Sequence, residues 1–168
     1  MDQDADFVDF ASAQSTRLAR SALLLGASHH EAEDLAQATL VRCYVYWSKV
    51  TAAADPDAYV MRMLLNEFAR SRKRRWWSEK PTDRPPDTAL ADATSQVEAA
   101  DAVARALGRL GPGQREAIVL RHYAHMSEAQ VAETLGIPVG TVKSRLSRAH
   151  RQLAEDVDIE ALRNGQAT

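Results

Sequence analysis

A predicted helix at residues 140–153 carries only basic charge, because its four charged residues are lysine or arginine. Arg and Lys side chains bind guanine edges and phosphates, and serine hydroxyls bind donors or acceptors on any base. Apolar residues repeat along the opposite face, which leaves the polar face for a partner. The pattern predicts entry into a DNA major groove, with Arg148 as the foremost base-reading residue. The candidate contacts are Lys143, Ser144, Ser147, Arg148 and Arg151.

The residues before this helix have the spacing of a helix-turn-helix. Ala132, Gly136 and Val142 follow the pattern A-x3-G-x5-V. Alanine lets two helices cross closely, glycine can take the positive φ of a tight turn, and valine packs the second helix onto the first. Ser127 and Gln130 have the spacing of a capping box. A surface helix with a solvated cationic face is the alternative, and the glycine spacing favours DNA binding over it.

A second basic cluster, RSRKRR, ends a predicted helix in the first half of the chain, with five cations in six positions at residues 70–75. Such a row can follow a DNA backbone, and each neutralised phosphate steepens the log–log salt dependence of binding by about 0.9. A solvated helix end is the alternative. Trp76 and Trp77 follow directly. They either stack on unpaired bases or cap a small core, and both interpretations stay open.

The residues that could support catalysis or metal binding are isolated in the sequence. His122 and His125 lie three positions apart on one predicted helix, but no cluster of cysteine, histidine or carboxylate completes a metal site. Cys43 falls on an apolar stripe, where a buried and inert thiol is expected. No glycine-rich loop of the Walker or Rossmann type is present. We therefore expect no enzymatic activity, no metal and no cofactor.

Apolar periodicity and helix-start signals predict three helices in the first half. The first ends at Gly26, which is a plausible stop. The second is capped by Ser28, and its apolar stripe reaches Trp47. The third starts at Asp55 and runs into the basic cluster at residues 70–75.

Residues 78–96 interrupt this helical pattern, since they contain three prolines and no long apolar repeat. The hydrophobic fraction of 45% and the charged fraction of 26% are those of a globular protein. We predict an all-α fold of two small helical domains joined by a flexible linker. The predicted bounds are a first domain at residues 1–77, the linker at 78–96, a second domain at 97–162 and a tail at 163–168.

The overall charge and the N-terminal residues indicate where DNA binding can arise in the chain and in which compartment the protein is expected. A net charge of -2 gives no global attraction to nucleic acid, so DNA binding must come from the two local basic clusters. The acidic start MDQDADF lacks the features of a signal peptide, and no apolar run approaches the ~20 residues of a membrane span. We expect a cytoplasmic protein that does not enter a membrane.

Two stretches of the first half, EAEDLAQATLVRCYVYW at residues 31–47 and DPDAYVMRMLLNEFARSRKRR at residues 55–75, resemble region 2 of extracytoplasmic-function (ECF) sigma factors. Residues 106–153, from ALGRLGPGQ to RAHRQL, resemble their region 4. DPDAYV and the early LLLG are similar to the actinobacterial SigE-like subgroup. The matches cover most of the chain in the order that the family has.

The resemblance implies a sigma-70-family initiation factor that binds core RNA polymerase through the clamp helices and flap of its large subunits. Region 2 would bind the -10 element and region 4 the -35 element of promoter DNA. Ala38 departs from an acidic residue that is common in the family. An anti-sigma protein is a further partner common in the family. The implied polymerase-binding residues are Glu33, Asp34, Leu35 and Gln37.

The resemblance also assigns DNA-binding residues in both regions. Asn66 matches the family's asparagine near the pocket for a flipped base, where an amide can pair with an exposed base edge. Region 4 adds Arg121 to the contacts named above, and Ser147 is shorter than the residue of many family members. The implied backbone contacts of region 2 are Arg62, Arg70, Arg72, Lys73, Arg74 and Arg75.

Two functions compete with that of an alternative sigma factor. A free-standing helix-turn-helix regulator would use the first half as a sensor or dimerisation domain, and TVKSRL is also close to response-regulator output domains. A helical interaction module without DNA binding would leave RSRKRR merely solvated. A sensor needs a ligand cavity or receiver-type strands, whereas the first half predicts only helices with a basic exit. The sequence therefore favours a sigma factor that directs promoter-specific initiation.

Overall fold

The computed structural model describes residues 3–78 and 95–165, with side chains described for residues 4–75 and 99–165. Within these ranges every regular element is a helix and none is a strand, so the all-α prediction is confirmed. The chain forms two compact units, an N-terminal unit built from the first four helices and a C-terminal unit built from the rest. Most of the predicted linker, residues 79–94, lies outside the described residues.

The N-terminal unit consists of α1 (Gln3–Leu25), α2 (His29–Val45), the short α3 (Trp47–Ala52) and α4 (Pro56–Ser78). α2 packs against α4, and α3 contacts both of them. None of the described helices is long and apolar enough to cross a lipid bilayer.

Capping side chains set the starts of α2 and α4. The Ser28 hydroxyl accepts a hydrogen bond from the Glu31 amide at 3.3 Å, and the Glu31 carboxylate accepts one from the Ser28 amide at 2.9 Å. This reciprocal pair confirms the predicted capping box. Asp55 Oδ1 accepts a hydrogen bond from the Ala58 amide at 3.0 Å. These oxygens satisfy amides that have no partner within their own helix.

The predicted second helix is divided in two by the structure. Tyr46 has φ -109° and ψ 27°, which ends α2, and Trp47 then begins α3. The Trp47 ring packs on Phe7 and Phe10 of α1, with centroids 5.4 and 5.0 Å away. The prediction that one helix continues through Trp47 is therefore wrong, whereas the packing of Trp47 on aromatic side chains agrees with the predicted apolar stripe. An apolar side chain fits the helical period whether or not the backbone breaks before it.

The core of the N-terminal unit combines apolar side chains from several helices. Leu18 of α1, Cys43 of α2 and Leu64 of α4 are each at most 1% exposed. Ser21 and Thr39 are equally buried, and each hydroxyl donates a hydrogen bond to the carbonyl four residues earlier, at 2.9 and 2.7 Å. The core of this unit is therefore mainly apolar, and these two buried hydroxyls are satisfied within their own helices.

Cys43 is expected to react slowly with disulfide reagents while the protein is folded. Its side chain is fully buried, and that burial raises the pKa of the thiol from 9.0 to about 11. A pKa higher by about two lowers the thiolate fraction at pH 8 by about 100-fold, and only the thiolate attacks. Absorbance assays with Ellman's reagent should show slow labelling in buffer and fast labelling in denaturant. Fast labelling of the folded chain would contradict this placement.

The C-terminal unit consists of α5 (Ser95–Gly108), α6 (Pro112–Ile118), a π-helical segment (Val119–Tyr123), α7 (Glu128–Leu135), α8 (Val139–Ala154) and α9 (Val157–Gly165). The π-helical segment continues α6 without a break. α8 packs against both α6 and α7.

Ion pairs hold α9 beside α5. The Arg109 guanidinium donates to both carboxylate oxygens of Asp156, at 2.8 and 2.6 Å. Arg105 pairs with Asp158 at 3.0 Å. The hydrogen bonds from Arg109 lower the pKa of Asp156, so this carboxylate stays charged at neutral pH. The bidentate geometry fixes the direction in which the chain enters α9.

Candidate nucleic-acid interfaces

The turn between α7 and α8 is closed by a left-handed glycine. Gly136 has φ 65° and ψ 37°, and its amide donates to the Glu133 carbonyl at 3.3 Å. The Ile137 amide donates to the Ala132 carbonyl at 3.0 Å. Together these bonds form a Schellman motif, which ends α7 and redirects the chain within two residues. Pro138, in an extended conformation, then immediately precedes α8.

The two helices of this motif meet through small and branched side chains. Ala132 is 6% exposed, and Val131 beside it is fully buried. Val142 and Ala149 of α8 are fully buried, and Leu146 is 5% exposed. Val142, Leu146 and Ala149 lie on one face of α8, so its opposite face points to solvent. The structure thus has the helix-turn-helix geometry that the spacing of Ala132, Gly136 and Val142 requires.

Gly136→Ala is expected to lower the free energy of unfolding of the C-terminal unit by about 1–2 kcal/mol, because an L residue is strained in the left-handed region. No atom lies within 4 Å of the position of the added Cβ, so the cost is conformational and not steric. Gly140→Ala is the matched control, since its added Cβ also meets open space but Gly140 lies within α8. That control should leave stability unchanged or raise it slightly. Urea unfolding followed by circular dichroism measures both, and equal effects would contradict the assignment of strain.

The solvent face of α8 presents the predicted DNA contacts. Ser147, Arg148 and Arg151 are exposed, and the side chain of Lys143 is 64% exposed. Ser144 is half-buried, and its hydroxyl donates to the Thr141 carbonyl at 3.0 Å. The hydroxyl oxygen keeps acceptor capacity, but its proton is used within the helix. Four residues at spacings of three and four therefore share this face: Ser144, Ser147, Arg148 and Arg151.

α4 presents a second polar row, in the N-terminal unit. Asn66 is exposed, and Arg62, Arg70 and Lys73 lie on the same side at spacings of three and four residues. Arg74 is exposed one turn beyond Arg70. An exposed amide is thus flanked by cations in both directions along one helix, an arrangement suited to one base and the phosphates beside it.

Two further cations of α4 also contact groups within the protein. Arg72 lies over the Phe68 ring, 5.1 Å from its centroid, which leaves its charge at the surface. Arg75 pairs with Glu31 at the start of α2, so its guanidinium is directed towards α2. The side chains of Trp76 and Trp77, for which base stacking was one interpretation, lie outside the described residues.

The exposed face of α2 carries three of the four predicted polymerase contacts. Glu33, Asp34 and Gln37 are exposed, and His30 approaches Asp34 at 3.5 Å. Leu35 is 5% exposed and lies in the core. The prediction that Leu35 is a surface contact is therefore corrected, because its side chain packs in the core beneath α2. A single buried leucine among exposed polar residues is what an amphipathic helix requires.

Two sequence models of protein families match the chain. The model described as Sigma-70 region 2 matches residues 12–78, and the model described as Sigma-70, region 4 matches residues 100–153. The RNA polymerase sigma-E factor of Streptomyces avermitilis is 36% identical over 156 residues, which cover 91% of this chain and 86% of that protein. The chain belongs to the ECF sigma factors of the sigma-70 family.

Other ECF sigma factors show the same relationship. The RNA polymerase sigma-E factor of Streptomyces coelicolor is 35% identical over 170 residues, covering 96% of this chain and 94% of that protein. The ECF sigma factor SigM of Mycobacterium tuberculosis is 34% identical over 139 residues, covering 82% of this chain and 70% of that protein. Similarity to the sigma-E factors is consistent with the predicted subgroup.

A solved structure of an ECF-type sigma factor has a similar fold. RpoE of Bartonella quintana, in complex with the anti-sigma factor NepR, superposes with a TM-score of 0.66 at 29% identity, covering 90% of this chain and 98% of that chain. CnrH, in complex with the cytosolic domain of CnrY, gives a TM-score of 0.62 at 23% identity, covering 96% and 90% of the two chains. The second likeness concerns the fold alone.

Region 4 of this sigma factor also has an open depression beside the face of α8 that carries the predicted DNA contacts. It brings three predicted contacts together: Arg121, Lys143 and Ser147. Arg121 is held by a hydrogen bond of 3.2 Å to the Met126 carbonyl. Arg148, Ser144 and Arg151 lie outside the lining of this α8 depression. Its full lining is Arg121, His122, Glu128, Lys143, Leu146, Ser147 and His150.

Sequence reasoning did not bring together three further residues of the α8 depression, namely His122, Glu128 and His150. The Glu128 carboxylate lies 3.9 Å from the Lys143 ammonium. His122 and His150 face each other with their Nε2 atoms 2.9 Å apart, across 28 positions of sequence. Burial, the nearby His150 and the Arg121 charge lower the pKa of His122, which favours its neutral form at pH 7. No local signal joins His122 to His150, because each follows the period of its own helix.

Region 2 of the sigma factor contains a buried carboxylate that the sequence did not indicate. Glu67 is 8% exposed and accepts a hydrogen bond from Arg42 Nε at 2.6 Å. It also accepts one from Arg70 at 3.3 Å. Arg42 is on α2, so this pair joins α2 to α4, and Arg70 belongs to the row beside Asn66. A carboxylate next to a predicted DNA contact therefore orients one cation of that row.

Proposed function

We propose that this ECF sigma factor binds core RNA polymerase through the exposed face of α2 and reads promoter DNA through α4 and α8. It has no catalysis of its own, and it works where the polymerase works, in the cytoplasm. Region 2 binds and helps to open the -10 element, and region 4 binds the -35 element. The linker between the two regions sets their separation along the promoter.

The observation that carries this proposal is the presence of both sigma regions in one chain, each with an exposed face of suitable chemistry. A free-standing regulator accounts for α8 but gives no reason for a sigma region 2 with exposed Asn66 among cations. The matched region 2, residues 12–78, takes the place of the sensor or dimerisation domain that such a regulator needs. The sigma factor is therefore preferred to the regulator.

Polymerase binding is assigned to the acidic and amide side chains of α2. Glu33, Asp34 and Gln37 are exposed, whereas Leu35 anchors the helix in the core. Charged side chains at the edge of an interface set the association rate and the choice of partner, so acidic residues here require a complementary basic surface on the polymerase. The large-subunit clamp helices are the proposed surface.

Opening of the -10 element is assigned to α4. Asn66 can donate two hydrogen bonds and accept others, which suits the Watson–Crick edge of a base that has left the stack. Flipping a base costs a few kcal/mol, and phosphate contacts from Arg62, Arg70 and Lys73 would offset part of that cost. Arg75, which is paired with Glu31, contributes only if that pair opens.

Binding of the -35 element is assigned to α8 and Arg121. Arg148 would bind a guanine edge, and Ser144 and Ser147 would bind neighbouring bases or phosphates. Lys143 and Arg121 lie beside the α8 depression and are placed for phosphates. Binding to the isolated element should weaken steeply with salt, by about 0.9 in the log–log slope for each phosphate neutralised.

The test is transcription from a library of genomic fragments by core polymerase mixed with the purified protein. The proposal expects a stable complex and a small set of transcripts that share an upstream motif. Glu33→Lys combined with Asp34→Lys should weaken the complex by about tenfold or more. Asp6→Lys with Asp9→Lys makes the same change of charge on the exposed side of α1 and should not. Absence of both complex and promoter-specific transcripts would refute the sigma function.

Control by an anti-sigma protein is proposed as well. It is supported by the similarity to RpoE of Bartonella quintana, which was solved in complex with the anti-sigma factor NepR. Such a protein would cover the surfaces that bind polymerase. Adding a candidate inhibitor to the transcription assay should abolish the promoter-specific transcripts without inhibiting core polymerase itself.

A further inference from the structure

Two imidazole nitrogens meet at the surface of region 4 in a geometry that suits one metal ion. The Nε2 atoms of His122 and His150 are 2.9 Å apart, and the ring centroids are 5.0 Å apart. Imidazole nitrogen lies about 2.0–2.1 Å from a bound divalent ion, so two nitrogens at right angles around one ion are about 2.9 Å apart. A tetrahedral ion would separate them by about 3.3 Å. The observed distance, which is also that of an N–H···N hydrogen bond, allows one divalent ion to bind both nitrogens after a small movement of either ring.

We propose that His122 and His150 form a two-histidine site for a divalent late transition-metal ion, since imidazole nitrogen suits Ni²⁺, Cu²⁺ and Zn²⁺. His122 lies on the π-helical segment and His150 on α8, so a bound ion would link these two elements. The described part of the chain contains no group of three or more histidine, cysteine or carboxylate residues able to hold a metal, so water completes the coordination.

Solvent access and local charge decide whether an ion can bind here. Only unprotonated nitrogen binds a metal, so binding is measured above the usual imidazole pKa of about 6.5. Both rings are exposed, so an ion can reach them directly. Among the charged neighbours that line the α8 depression, Glu128 favours an ion, whereas Arg121 and Lys143 oppose it. This balance predicts modest affinity, set by the two nitrogens.

An ion at this position would lie among the residues proposed for the -35 element. Lys143 and Ser147 line the same depression, so a bound divalent ion adds two positive charges beside them. The site is nevertheless a property of the free protein. Metal binding is measured without DNA or polymerase, so the proposal can fail while the sigma function stands, and the reverse also holds.

The first experiment titrates the full chain with NiCl₂ at pH 7.5 by calorimetry. We expect one Ni²⁺ per chain at this site, and His122→Ala or His150→Ala should each weaken it by about 100-fold, since losing even an outer partner of a ligand typically costs 10–100-fold. His125→Ala is the matched control, because His125 neighbours His122 but is absent from the depression. A variant lacking both His29 and His30 removes the exposed histidines of the N-terminal unit and should keep the site.

A second measurement does not depend on the variants. Paramagnetic Ni²⁺ at substoichiometric concentration should broaden the imidazole resonances of both His122 and His150 together in NMR spectra of the unaltered chain. Broadening confined to His29 and His30, or equal affinity in the His122→Ala and His125→Ala variants, would overturn the proposal. The facing rings would then be an ordinary hydrogen-bonded histidine pair.

Discussion

Leu64→Ala is expected to lower the free energy of unfolding of the N-terminal unit by about 2–5 kcal/mol. Leu64 is fully buried on α4, which packs against α2. The substitution removes apolar area from the core and leaves a cavity, because neighbouring helices relax only in part. The effect is a large fraction of the stability of a small domain.

Tryptophan fluorescence measures this loss separately from the C-terminal unit, since the three tryptophans are Trp47, Trp76 and Trp77. Urea titration of the variant should move their transition to lower denaturant. Leu40→Ala removes the same atoms from a half-buried position on α2 and should cost less. Equal losses from the two substitutions would contradict the assignment of Leu64 to the core.

Arg148→Ala is expected to relax base preference at one position of the -35 element by about 1–3 kcal/mol, or roughly 5- to 150-fold. Arg148 is exposed on α8, opposite the buried Val142, Leu146 and Ala149. Removing a bidentate donor takes away discrimination between bases, whereas the phosphate contacts that supply most of the affinity remain.

Competition between promoter variants, transcribed by the complex with core polymerase, measures this preference. Arg163→Ala is the matched control, because Arg163 is also exposed but lies on α9. It should leave the preference unchanged. An unaltered ranking of -35 variants with Arg148→Ala would remove Arg148 from base reading and leave it as a phosphate contact.

Much of the fold follows from local features of the sequence. The Ser28 and Ser127 capping boxes and the glycine turn at Gly136 appear where local chemistry predicts them. Each depends on residues a few positions apart, so a linear pattern contains all the necessary information. The break at Tyr46 is the exception, because the apolar period continues through it to Trp47.

The candidate interfaces were predictable only in part. The exposed face of α8 and the row beside Asn66 follow from helical spacing. Burial of Leu35 also follows that spacing, but the resemblance to the family had placed it among the contacts. Glu67 shows the limit of such reasoning, since its burial depends on Arg42 of another helix supplying the partner that a buried carboxylate needs.

The sequence by itself determined the helical class, the helix-turn-helix and the two basic surfaces, because caps, turns and amphipathic faces depend on neighbours along the chain. It also carried enough of the family's motifs to indicate a sigma factor. Only the tertiary structure decided that His122 meets His150 and that Glu67 pairs with Arg42 of another helix. Such contacts depend on how helices cross, and crossing is set by packing of whole faces rather than by any local pattern.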